Sequence, residues 1–381
     1  MSKRSFPLLC GMAFILSFSV AATAALIPSI AGFFGRKLIP AGRLVWMYML
    51  PYGIFALIWA PLTRKVFVKN ILLACLSMFS LSAFIVGIAP NLSFACWGRL
   101  GMGIFGSCFA PLSLIIIGKE LSPKDKAKHA GIFFSVSYLS SLCGLFLSGV
   151  FFWRVIYLIP SLLGIVVFIL SFFFLERFDY RGKFKISYIE TFKDKASLTL
   201  FFFIFFGSLF YHSIQQWFGV YLFKEFSLSQ FSISMLFALS ALIAMFSESI
   251  GGFLSARFGP SKVASWGLFS MYLFIVFLFF VHKPEYIFYF IFLWGMGWAF
   301  NHIGLSVFLT GLPDKFLRDA SGLNSSLRFV SAGLGAFLGG KSISLMGFKN
   351  HFVFVGVSLL VLALFLRKKL AIGNEASLPE M

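Results

Sequence analysis

Residues 101–149 read GMGIFGSCFAPLSLIIIGKELSPKDKAKHAGIFFSVSYLSSLCGLFLSG, and residues 295–340 read GMGWAFNHIGLSVFLTGLPDKFLRDASGLNSSLRFVSAGLGAFLGG. Each stretch opens on Gly-Met-Gly and runs through an apolar span. Each then crosses a short charged loop after Pro123 or Pro313 and restarts at a small-residue pair, Ala130-Gly131 or Ser321-Gly322. From there one offset of 191 carries Gly131, Ser140, Gly144, Ser148 and Gly149 onto Gly322, Ser331, Gly335, Gly339 and Gly340. A fainter echo pairs Ala60–Lys69 with Gly252–Lys262. The chain is therefore built from two copies of one plan.

Of 381 residues, 60% are hydrophobic and 12% charged, about half the ~25% charged residues of a soluble domain. So few charges cannot cover a water-facing surface, so the chain's solvent is lipid. Phe alone contributes 55 residues; it suits lipid-facing and buried positions equally, so its excess marks no site. The five Cys lie in apolar spans without metal-ligand spacing and read as small buried hydrophobes.

Apolar runs near the ~20 residues that cross a bilayer fall at 7–33, 43–61, 71–89, 93–117, 130–152, 155–175, 199–223, 229–256, 263–282, 286–311, 320–345 and 350–366. Ser2-Lys3-Arg4, the apolar run and Ala21-Ala22-Thr23-Ala24 have the outline of a cleavable signal peptide. The run continues to Phe34, so it reads as the first membrane helix. Six spans precede the polar stretch Glu176–Lys195 and six follow it. The expected fold is an all-α membrane protein of two pseudo-symmetric six-helix bundles, 1–175 and 199–381, joined by a linker at 176–198 that holds room for a short surface helix. Two facing copies in lipid are the pattern of a transporter.

With the N-terminus in the cytoplasm, the loops on that side hold twenty-two Lys and Arg. The other side holds seven: Arg36, Lys37, Arg43, Arg154, Lys224, Lys283 and Lys349. This bias predicts that both termini and the linker are cytoplasmic, in a bacterial inner (plasma) membrane. Arg36, Lys37 and Arg43 run against it. The net charge of +19 follows from loop topology. No solvated basic face is present for nucleic acid.

These residues resemble the major facilitator superfamily over nearly the whole chain. In that family the loop after helix 2, and often after helix 8, reads roughly G-x-L-x-D-R-x-G-R-K. The second copy keeps Gly252, Leu254, Arg257 and Gly259 but has Ala256 at the acid. The first keeps Leu62, Lys65 and Lys69 but has Arg64 at the acid and Phe67 at the glycine. Arg99 and Gly103 match an Arg and Gly of helix 4 in family antiporters. Ser140, Gly144, Leu145, Ser148 and Gly149 stand at the helix 5 pattern G-x-x-x-G-P-x-x-G-G without its proline. Trp153-Arg154 and the helix after them are similar to helix 6 of drug/proton antiporters. The resemblance implies a monomeric, cofactor-free secondary transporter that works by alternating access. For the antiporter type it implies proton-coupled efflux.

A charge at the bilayer centre costs about 3 kcal/mol or more, so retained ones need a partner or a cavity. Arg99, Glu248 and Arg328 stand inside spans; Lys341 is close enough to a helix end to snorkel. Glu248 and Arg328 lie at similar depth, which predicts an ion pair with Glu248 as the proton-coupling carboxylate. Arg99 reads as a cavity-facing cation, or else as a brace pinned to backbone carbonyls. His212, Gln215 and Gln216, beside Tyr211, share one helix face. With Asn301, His302 and Asn324 they complete the expected substrate and coupling set. Ser17, Thr23, Ser135, Ser137 and Tyr138 are weaker candidates in the first half. Gly103, Ser140, Gly144, Ser148, Gly149, Gly252, Arg257, Gly259, Gly335 and Gly339 form the expected gating and packing set. The small-residue runs among them read as seams where the halves rock. Aromatics, amides and few charges suit a small amphipathic organic solute. Uptake of a metabolite or organic anion by symport or uniport is an alternative, as is a non-transporting receptor or scaffold of the same fold. No nucleophile–base spacing points to an enzyme.

Overall fold

The computed structural model describes residues 4–182, 188–312 and 314–374. Among them every regular element is helical, because only a helix satisfies its own backbone in hydrocarbon without a closed barrel. The first span is two helices, α1 (Ser5–Ala25) and α2 (Ile27–Phe33), with Pro28 opening the second. Next come α3 (Leu38–Ala41), α4 (Arg43–Leu62) and α5 (Val68–Gly87). The fourth span is also split, into α6 (Leu92–Gly106) and α7 (Phe109–Glu120); α8 (Pro123–Val150) and α9 (Val155–Phe174) complete the first half. The linker carries α10 (Tyr188–Lys193). The second half comprises α11 (Lys195–Phe226), α12 (Gln230–Phe258), α13 (Pro260–Leu278), α14 (Glu285–Thr310) and α15 (Asp314–Asn374). α11 starts earlier than the apolar run, because the Asp194 carboxylate accepts from Ser197 N at 2.8 Å and caps it.

Eleven segments among the described residues are long and apolar enough to cross a membrane. The last of them, Gly322–Lys368, holds two spans that part at Gly347 (φ 79°), a left-handed conformation open to glycine. Twelve crossings result. In the first half α1 packs on α8 and α9, and α5 on α6 and α9; in the second, α11 packs on α15 and α14 on α12 and α13. The halves meet along α4–α15 and α8–α12.

The seam residues act mainly within each half, not between halves as expected. A Cβ on Gly144 would collide with the Phe18 carbonyl of α1, and one on Gly335 with the Leu209 carbonyl of α11. Phe18 and Leu209 are themselves 191 apart, so the repeat persists in space down to single backbone contacts. Ser140 Oγ donates to Phe14 O at 2.5 Å, again within the first half. Gly103 abuts the Tyr48 carbonyl, and Gly339 the Ser213 carbonyl. Contact between halves falls to Ser148, whose hydroxyl lies 2.9 Å from Ser234 Oγ, and to Gly149 against Phe231 and Ser234.

The face opposite the linker is shut. There Gly219 abuts the Ala24 carbonyl, Gln230 Nε2 donates to Ala25 O at 3.1 Å, and Ser29 Oγ donates to Gln230 Oε1 at 2.5 Å. On the linker face, among the described residues, α7 and α14 make no comparable packing against each other. Neither loop motif has its acid, and the start of the linker docks there instead. Tyr180 is buried and its Oη donates to Glu120 Oε1 at 2.8 Å. Gly182 N donates to Arg64 O at 3.2 Å, and the Arg181 guanidinium lies 4.0 Å from the centre of the Phe67 ring. Burial, together with the Glu120 carboxylate, pushes the Tyr180 phenol up, so it stays protonated and keeps donating.

Gly144→Ala and Gly335→Ala should each destabilise the protein by about 1–3 kcal/mol, the usual overpacking cost. Gly131→Ala, whose Cβ meets open space, should be neutral or stabilising. Thermal melts of the three purified variants check the ranking.

Candidate substrate and coupling site

Glu248 sits on α12 at the boundary between halves. Its Oε2 accepts from Tyr138 Oη of α8 at 2.5 Å, and its Oε1 lies 3.0 Å from His302 Nδ1 of α14. The two side chains keep 20% and 31% of their surface exposed, so the group borders open space. Arg328 makes no direct ion pair with Glu248. Its Nε donates to Asn324 Oδ1 at 2.9 Å, and its Nη2 reaches the His302 carbonyl at 3.4 Å and Ser306 Oγ at 3.5 Å. The expected pair is thus a wider cluster that Arg328 joins through the backbone of His302. Two i, i+4 relations, Asn324 to Arg328 and His302 to Ser306, place these groups on matching faces of α15 and α14.

An aromatic stack continues from this cluster. The Tyr211 ring is stacked on Trp298 at 4.0 Å and on Trp294 at 4.9 Å. The Trp298 ring lies 5.8 Å from His302 and 5.4 Å from His212. Trp294 Nε1 donates to Gln215 Oε1 at 2.6 Å, and Gln216 Nε2 lies 3.0 Å from His212 Nδ1. Gln216 also reaches Met49 Sδ of the first half at 3.9 Å. Sequence reasoning missed Trp294 and Trp298. Their i, i+4 spacing was the available signal, masked by the abundance of aromatics in the chain.

Other expected residues lie away from this group. Asn301 is buried, abuts Gly207 and donates to Ala264 O at 3.3 Å, which braces α14 against α13. Arg99 is fully buried within the first half. Its Nε donates to Leu44 O at 2.9 Å, its guanidinium lies 4.2 Å from the centre of the Tyr48 ring, and Tyr157 lies beyond at 5.7 Å. The backbone-brace reading of Arg99 fits this geometry, and the cavity-facing one does not. Thr23 closes the same pocket, 2.9 Å from Tyr157 Oη. In the second loop motif Gly252 makes only a loose approach to Ile303, Arg257 lies over Phe258 of its own helix, and Gly259 (φ 91°) makes the turn.

This arrangement joins a titratable carboxylate to both halves. Ionised, Glu248 accepts from Tyr138 and attracts a protonated His302. A proton on Glu248 turns one acceptor into a donor and weakens that tie. The flat wall of Tyr211, Trp294 and Trp298 offers stacking area beside the charge. Among the described residues no three-residue metal-ligand group occurs.

A sequence profile described as Major Facilitator Superfamily matches residues 9–340. The MFS-type transporter YhcA of Bacillus subtilis is 28% identical over 157 residues, which cover 39% of this chain and 29% of that protein. Azole resistance protein 1 of Saccharomyces cerevisiae is 28% identical over 168 residues, 41% of this chain and 27% of that one. The chain spans less than a third of the length of the curated relatives it matches. Among solved structures, the nucleoside transporter NupG superposes with a TM-score of 0.78 at 12% identity, covering 95% of this chain and 99% of that one. A bacterial homologue of the human lysosomal transporter Spinster, inward-facing and unoccupied, also gives 0.78, at 16% identity over 96% and 97%. These likenesses establish the fold.

Arg99→Met should lower stability by about 1–2 kcal/mol, because it removes a charged hydrogen bond to the Leu44 carbonyl and a cation–π contact. The check is a thermal melt beside ligand-induced quenching of tryptophan fluorescence. A cavity cation would show the reverse, intact melting with lost quenching.

Proposed function

The chain belongs to the major facilitator superfamily, a family of membrane transporters rather than enzymes, and on that premise we propose that it exports small amphipathic organic compounds in exchange for protons. The observation that carries this reading is the carboxylate of Glu248, held by Tyr138 of one half and His302 of the other and flanked by the Tyr211–Trp298–Trp294 stack. Bundles 1–175 and 199–381 rock about this point, with 176–198 as the tether. A solute stacks on the aromatic wall from the open linker face. Proton uptake at the cluster loosens the Tyr138–Glu248 tie and favours the other conformation. The efflux transporter of thioclapurine in Claviceps purpurea and the azole resistance protein, both 28% identical over part of the chain, support export. The Lys and Arg bias supports cytoplasmic termini in a bacterial plasma membrane, and the protein works as a monomer.

A second reading is uptake of an organic anion. Arg328 favours it, because its guanidinium borders the same cluster. Direction and solute charge separate the two readings in proteoliposomes loaded with a fluorescent aromatic cation or an aromatic carboxylate.

Glu248→Gln should abolish flux driven by a pH gradient and leave solute counterflow intact. Undiminished proton-driven flux in that variant rules the proposal out. Trp298→Ala should weaken apparent affinity for an aromatic solute roughly three- to tenfold, the worth of one aromatic pair.

A further inference from the structure

Arg36 and Lys37 stand on the face opposite the linker, where the distribution of Lys and Arg disfavours them. In the structure they line a groove of about 660 Å³ together with Lys224 of the other half. All three side chains are exposed, and among the described residues none has a hydrogen bond or an ion pair. No carboxylate lines the groove. The remaining lining is apolar except for Ser344, with Ile39 from the first half and the buried Ile343 and Phe348 from the second.

We propose that this groove binds the headgroup of an anionic phospholipid from the leaflet on that face. Three unpartnered cations repel one another until an anion sits among them, and each Lys or Arg near an anionic lipid surface contributes to attraction. The apolar floor gives the glycerol and the first acyl carbons a surface that a soluble anion does not use. Arg36 and Lys37 come from the first half and Lys224 from the second, so a bound phosphodiester joins the halves where they already meet. It therefore favours the conformation in which this face is shut. Arg36 and Lys37, two of the three cations that run against the loop rule in sequence, thus have a local reason to be retained.

The test titrates the purified full chain in detergent with dioleoyl phosphatidylglycerol or dioleoyl phosphatidylcholine and reads bound lipid by native mass spectrometry. Wild type should retain phosphatidylglycerol in preference to phosphatidylcholine. Lys37→Ala/Lys224→Ala should weaken that retention by roughly fivefold per cation removed. Lys283→Ala/Lys349→Ala removes equal charge from the same face outside the groove and should leave retention unchanged. Equal weakening in both pairs, or no preference in wild type, overturns the proposal. Displacement of the lipid by millimolar inorganic phosphate also overturns it, in favour of a soluble anion.

Discussion

Glu248 is a carboxylate set within a membrane span, and its hydroxyl donor belongs to the other half of the molecule. Tyr138 Oη reaches Glu248 across the α8–α12 boundary at 2.5 Å. That bond requires α8 and α12 to stay close, which the small residues Ser148 and Gly149 permit further along the same pair. It also requires α8 to be held rigidly in its own bundle, and the approach of Gly144 to the Phe18 carbonyl does that. Loss of any of these contacts removes a partner from a charge that hydrocarbon does not tolerate.

The division of labour between small residues follows from what each contact must survive. Within a bundle, backbone-to-backbone approach at Gly144 and Gly335 gives van der Waals contact that no rearrangement needs to break. Between bundles, close approaches at Gly53 and Gly333 and the Phe329–Tyr52 stack stand beside hydrogen bonds of hydroxyls and single amides, such as Ser148 with Ser234 and Gln230 with Ala25. Such bonds exchange for water at little net cost.

Much of this was legible in the chain. The span lengths, the 191-residue repeat and an intramembrane carboxylate at the depth of Arg328 are read from residue type and spacing, but the ion pair expected of those two does not form and His302 stands beside Glu248 instead. What spacing cannot supply is azimuth. An apolar helix has no wet face to orient it, so Arg99 reads equally well as lining a cavity or as braced inside a bundle; only packing distinguishes them. The partner of Glu248 was hidden for a related reason. Tyr138 lies 110 residues away on a helix whose neighbour is set by the tertiary fold. Trp294 and Trp298 were lost against a background of 55 Phe.

The two borders between halves are symmetric in position but not in chemistry. The repeat carries Tyr138 onto Phe329, and the loop echo carries Glu248 back onto Ala56. On the α4–α15 border Phe329 stacks on Tyr52 at 3.9 Å, a contact of two rings without a carboxylate or imidazole. One border carries a carboxylate held by a phenol and an imidazole, and the other a stacked pair of rings. In the proposed exchange cycle, protonation therefore loosens the α8–α12 side while the α4–α15 side stays in register, like a book opening about its spine.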